Sequence, residues 1–156
     1  MHTEHLQNVQ PIRVMAGWLV AVAATSLVVF GFIVLGLMGD EAARDAGWAV
    51  LAVAVGFLVG GWFTGFRTLE APILHGVAMG LTSLVVWALL NLVVSAAFGA
   101  AEWTGLTPAA TVVVVLTQVI AAVAGCWLGV RRARVRTSEL ADSPAAGVRE
   151  RGGPEP

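Results

Sequence analysis

The sequence predicts an all-α integral membrane protein, an antiparallel four-helix transmembrane bundle, on three observations. Of its 156 residues, 58% are hydrophobic and only 12% are charged, whereas a water-soluble domain carries about 25% charged residues. The charges gather at the chain ends and in short gaps. Between the gaps lie four apolar runs, each long enough to cross a bilayer, which takes about 20 residues. The net charge of −1 decides little, because its distribution matters more than its sum. There is no lysine, all nine basic residues are arginine, and Ala, Val and Gly abound, as suits a GC-rich prokaryotic genome.

Residues 1–11 form a polar N-terminal segment. The apolar run after it is too long for a signal-peptide core and has no small-residue cleavage site, so it is expected to remain as the first span. The transmembrane domain is expected at 12–130. Span 1 covers about 12–38, with Pro11 in the first turn, where a missing N–H costs nothing. Gly39 to Gly47 holds four charges and two glycines and reads as a wet loop. Asp45 is a candidate cap for span 2, about 46–66, and its carboxylate favours the positive helix end. Arg67 to Pro72 reads as a tight turn into span 3, about 72–98. The loop around Glu102 and Trp103 leads to Thr107-Pro108, a cap-then-proline start to span 4, about 108–130. Residues 131–156 read as a basic and then disordered tail. From Ser138 onward too few apolar residues remain to offset the entropy of ordering.

Arginine counting sets the expected orientation. With the N-terminus inside, Arg13, Arg67, Arg131, Arg132, Arg134 and Arg136 are cytoplasmic, and Arg44 alone among the span-flanking arginines is outside, beside Asp40, Glu41, Asp45 and Glu102. The expected location is the bacterial plasma (inner) membrane, with both termini cytoplasmic. Trp18, Trp62 and Trp127 then fall near the inner interface and Trp48 and Trp103 near the outer one, while Trp87 lies near mid-membrane.

An internal repeat runs through the spans. Thr25-Ser-Leu-Val-Val-Phe30 matches Thr82-Ser-Leu-Val-Val-Trp87, and Gly61-Trp-Phe-Thr-Gly65-Phe-Arg67 matches Gly125-Cys-Trp-Leu-Gly129-Val-Arg131. Two duplicated hairpins in one orientation imply a pseudo-twofold axis along the membrane normal. Small residues four apart share a helix face and let another backbone lie close, which drives association in lipid. Gly56, Gly60, Gly61 and Gly65 on span 2, Gly76 and Gly80 on span 3, and Gly125 and Gly129 on span 4 are the candidate helix-packing residues. Spans 2 and 4 are the expected close-packed pair.

Intramembrane charge marks proton relays and ion pathways, and apart from Arg13 at the very start of span 1 none lies within the four spans. That argues against a proton-coupled pump and against the four-span drug exporters, which rely on a membrane-embedded glutamate. The candidate polar site is Gln118, Asn91 and Trp87. Gln118 and Trp87 share a depth, so an indole N–H bonded to the amide oxygen is expected, and interhelical glue is the plain reading of both amides. Arg67, Glu70 and His75 cluster at a turn, where a histidine beside an ion pair could sense protons, though such residues more often end a helix at the headgroups. His2, Glu4 and His5 could hold a metal only weakly, and Cys126 reads as a small buried residue. No metal spacing, nucleophile–base pair, phosphate loop or cofactor fingerprint is present, so no metal, no cofactor and no enzymatic activity are expected. Arg131, Arg132, Arg134 and Arg136 are a topology signal and candidate contacts for anionic lipid. Nucleic acid is not an expected partner for so short a run pinned at a membrane.

Gly60-Gly61-x-x-x-Gly65-x-Arg67 followed by His75-Gly76 resembles a set of small glycine-rich four-span bacterial membrane proteins of unknown function, over residues 50 to 90. The resemblance implies a similar middle hairpin and brings no activity with it. The four-span fluoride channels carry a related Gly-Gly run, but theirs lies in the first span and the remaining pattern departs. The expected function is a non-enzymatic bundle acting through helix–helix contacts, as an accessory subunit or homo-oligomer, because spans 2, 3 and 4 all carry glycine faces. The alternative is a small channel or carrier for a neutral or small solute, with a polar path near Gln118 and Asn91.

Overall fold

The computed structural model describes residues 10–39, 41–68, 71–98 and 107–141. Four helices account for nearly all of them: α1 (Pro11–Val34), α2 (Ala42–Arg67), α3 (Pro72–Phe98) and α4 (Pro108–Ala141). All four are long and apolar enough to cross a membrane.

The helix starts follow local chemistry. Pro11, Pro72 and Pro108 each open a helix, where proline's fixed φ is already helical and its absent N–H is not needed. Thr107 caps α4, its Oγ1 accepting from the Ala110 N–H at 3.2 Å. Asp45 does not cap α2, because the helix begins earlier, at Ala42, after an N-cap at Glu41 that makes no side-chain bond. Asp45 lies in the first turn instead, and its Oδ2 accepts from the Gly39 N–H at 2.9 Å, tying the loop to the helix. Span 1 also ends sooner than its apolar run. The α1 helix stops at Val34, and the chain turns through Gly36 and Gly39, both at positive φ, where glycine carries no Cβ penalty.

The basic segment after Val130 is not a break. Helix α4 runs 34 residues to Ala141, about 51 Å at 1.5 Å per residue, so it outlasts the roughly 30 Å hydrocarbon core by several turns. The beginning of the expected disordered tail, 138–141, is therefore helical, and the rest of it lies outside the described residues, as do Glu70, Glu102, Trp103, His2, Glu4 and His5.

Helix α2 packs most extensively on α4, then on α1; α3 leans chiefly on α4 and touches α1 along a shorter line. Around the bundle the order is therefore α1, α2, α4, α3. The antiparallel hairpins α1–α2 and α3–α4 stand side by side, so the tightest pair, α2 with α4, runs parallel.

Burial is confined to one half of the bundle. On α1 the buried positions are Val14, Gly17 and Ala21; on α3 they are His75, Gly76, Met79 and Gly80. On α2 they run from Ala52 to Gly65, and on α4 from Ala121 to Ala133. All of these lie toward the end that holds Arg13, Arg67 and Arg131. Toward the opposite end α1 and α2 still touch through the rings of Phe32 and Trp48, 5.0 Å apart, but α3 exposes Trp87, Leu89, Leu90, Leu92 and Val93. Residue size favours this: glycine in the packed half lets backbones touch, whereas Leu and Val dominate the opposite half of α3.

Candidate functional site

The packed half is built on a glycine seam. A Cβ on Gly61 or Gly65 would strike the carbonyl of Ala122 or Cys126 on α4. A Cβ on Gly125 or Gly129 would strike the carbonyl of Leu58 or Trp62 on α2. On the other side of α2, a Cβ on Gly60 would lie 2.5 Å from the Gly17 carbonyl oxygen, and one on Gly56 would lie 2.7 Å from that of Ala21. Gly76 and Gly80 of α3 face Val123 and Val119 of α4. All eight of the glycines singled out in the sequence are buried. They are consumed inside one chain, which corrects the expectation that spare glycine faces wait for a neighbour.

Polar side chains at the packed end mostly bond to backbone. His75 is fully buried. Its Nδ1 lies 2.9 Å from the Ala71 carbonyl oxygen, and its Nε2 accepts from the Gln10 backbone N–H at 3.3 Å. One nitrogen must donate and the other accept, which fixes a neutral ring with the proton on Nδ1. His75 thus holds the start of α1 rather than ending a helix at the headgroups. Thr64 Oγ1 donates to the Gly60 carbonyl at 3.0 Å and lies 3.6 Å from Met79 Sδ. Trp18 Nε1 donates to Ser83 Oγ at 2.8 Å, joining α1 to α3. No spacing in the sequence signals that bond, because it depends on which helices become neighbours.

The expected bond between Trp87 and Gln118 is not made: Gln118 Oε1 is buried without a hydrogen-bond partner. The two residues do line one crevice between α3 and α4, of about 50 Å³, with Ser83, Thr111, Val114 and Val115. Asn91, half-buried one turn beyond Trp87, lies outside that crevice, its Nδ2 donating to the Trp87 carbonyl of its own helix at 2.8 Å. Of the three candidate polar residues, Trp87 and Gln118 are therefore brought together and Asn91 is not. Thr82 and Thr117 likewise bond back to their own helices.

The arginines divide into committed and uncommitted groups. Arg13 Nη1 donates to the Arg67 carbonyl at 2.8 Å, and the Arg67 guanidinium sits 4.4 Å from the Phe63 ring centroid. Arg131 lies 5.6 Å from the Trp127 ring. Arg131, Arg132 and Arg136 line a groove of about 770 Å³ against Trp62, Phe66 and Leu128, and Arg134 does not.

Among the described residues no cluster of three or more His, Cys, Asp or Glu side chains could hold a metal. Four apolar spans, a bundle closed at one end by backbone contact, and arginines gathered at that end define a multi-pass helical membrane protein. No protein-family model, curated protein or solved structure matches the chain. Its function is therefore argued from its own geometry.

Proposed function

We propose that the chain is a non-enzymatic membrane bundle that acts through contacts with other helices, as a homo-oligomer or an accessory subunit. The observation that carries this reading is Asn91. Its amide sits seven residues before the end of α3, on a stretch flanked by exposed Leu89, Leu90, Leu92 and Val93, and its one bond is to its own helix. A half-buried amide bonded only to its own helix keeps unmet hydrogen-bonding capacity, and a neighbouring helix is the usual way to meet it. The glycine half is rigid and self-contained, so it serves as the scaffold that holds this face out.

Arginine counting supports placing the packed end, with both termini, on the cytoplasmic side of a bacterial inner membrane. The test is the mass of the full-length protein in nanodiscs, with any co-purifying chain identified. A defined assembly that weakens in Asn91→Leu, while the thermal stability of the bundle holds, is the expected result. A monomer at every concentration, with no companion chain, sinks the reading.

A second reading, a small channel or carrier for a neutral or small solute, is favoured by the orphaned Gln118 carbonyl facing the α3–α4 crevice. At about 50 Å³ the crevice has room for roughly one or two waters, so this reading needs the open half to widen. Solute flux into liposomes that falls in Gln118→Leu would favour it over the contact reading; flux equal in both proteins would remove it.

A further inference from the structure

We propose that the groove where α2 ends against α4 is a binding site for the phosphate headgroup of an anionic phospholipid. Three features of the groove converge on that ligand. Arg132 and Arg136, four residues apart, share one face of α4, and Arg131 beside them lines the same groove. The floor beneath them is apolar and aromatic: Trp62 and Phe66 of α2 stack with centroids 5.7 Å apart, beside Leu128. Trp62 and Leu128 are 43% and 42% exposed, so the floor opens sideways toward the hydrocarbon rather than into a closed chamber. A charged roof over a lipid-facing apolar floor suits an amphiphile with a phosphate head and acyl chains, whereas a free anion gains nothing from the floor.

The register of the bundle puts this groove at the right depth. Helix α2 stops at Arg67, while α4, which runs parallel to it, continues to Ala141. The overhanging turns of α4 therefore stand where the hydrocarbon gives way to headgroups, with the end of α2 as a step below them. Availability separates this site from its neighbour. A second groove of about 450 Å³ between α1 and α2 also contains two arginines, but there Arg13 is bonded to the Arg67 carbonyl and Arg67 lies on Phe63. Among the described residues Arg132 and Arg136 have no hydrogen-bond, ion-pair or ring partner, unlike Arg13 and Arg67. Guanidinium groups are suited to phosphate oxygens by their planar fork of N–H donors. With three cations in one groove, a two-phosphate lipid is expected to bind more tightly than a one-phosphate lipid.

The test uses the full-length protein in an uncharged detergent, titrated with cardiolipin, phosphatidylglycerol, phosphatidylcholine and inorganic phosphate, with binding read by native mass spectrometry and thermal shift. Saturable binding in the order cardiolipin, then phosphatidylglycerol, with phosphatidylcholine silent, is expected. Arg132→Gln should weaken cardiolipin binding about fivefold, with Arg132→Lys restoring part of it and Arg134→Gln, an equal loss of charge off the groove, leaving it unchanged. The lipid-free melting temperature should be the same in all three, because both arginines are exposed. Equal weakening by Arg134→Gln would reduce the effect to net charge and overturn the site. Competition by inorganic phosphate at concentrations matching the lipid would assign the groove to a free anion and overturn the lipid.

Discussion

Gly61 and Gly125 are reciprocal: each presses against a carbonyl of the other's helix, Gly61 on Ala122 and Gly125 on Leu58. One turn further on, Gly65 meets Cys126 and Gly129 meets Trp62 in the same way. A single sequence offset relates Gly61 to Gly125, Gly65 to Gly129, Leu58 to Ala122 and Trp62 to Cys126, and it is the offset of the repeat in spans 2 and 4. The α2–α4 seam therefore has local twofold symmetry about an axis along the helices. The outer pairings lack it: Gly60 of α2 lies against the Gly17 carbonyl of α1, while Gly76 of α3 meets the backbone and side chain of Val123 and Gly80 the side chain of Val119.

Because the seam is backbone against backbone, even a methyl group has no room there. Gly61→Ala and Gly125→Ala should each destabilise the bundle by about 1–3 kcal/mol, the usual cost of overpacking, and Leu at either site should prevent folding. Gly31, with nothing within 4 Å of an added Cβ, is the internal control. Gly31→Ala should be neutral or gain up to about 1 kcal/mol from helix propensity. Chemical unfolding in detergent separates these outcomes, and equal tolerance at Gly31 and Gly61 would defeat the seam.

The Trp18–Ser83 bond ties α1 to α3 side chain to side chain. Interhelical hydrogen bonds in membranes average about 0.6 kcal/mol. A double-mutant cycle of Trp18→Phe with Ser83→Ala should return a coupling energy of that order. Strict additivity would mean that the bond contributes nothing.

His75 should be found as the neutral Nδ1–H tautomer, readable from the ring nitrogen shifts of the ¹⁵N-labelled protein. His75→Ala removes the acceptor for the Gln10 N–H at the start of α1, so exchange of that amide should accelerate. Stability should fall by about 2 kcal/mol, through the orphaned donor and the space left behind. Unchanged exchange at Gln10 would show that the ring does not hold the helix start.

Gln118 makes the opposite prediction. Its buried carbonyl has no partner, so Gln118→Leu loses no bond and should leave the melting temperature unchanged or raise it by the equivalent of about 1 kcal/mol. A loss of 2 kcal/mol or more would mean that the amide is satisfied in the membrane by water or by a neighbouring chain.

Cys126 is fully buried under the Gly65 backbone, so maleimide should label it only as the bundle opens. Labelling of native protein as fast as of the unfolded chain would contradict the α2–α4 contact.

The sequence by itself determined the class of protein and most of the helix boundaries. Apolar run length sets a span wherever lipid is the solvent, and Pro11, Pro72 and Pro108 fix helix starts through backbone geometry that no tertiary contact alters. The spacing of Gly61, Gly65, Gly125 and Gly129 made the α2–α4 pairing legible as well, because close approach needs small residues on one face. The arginines after Val130 suggest where span 4 leaves the hydrocarbon but not where the helix ends, because arginine is a good helix former and α4 runs on to Ala141. What only the tertiary structure decided is the traffic between helices: His75 reaching Gln10, Trp18 reaching Ser83, Trp87 failing to reach Gln118, and the eight packing glycines of α2, α3 and α4 turned inward. Depth along a helix can be read from sequence, but the direction a side chain faces is fixed only when a neighbouring helix chooses its side.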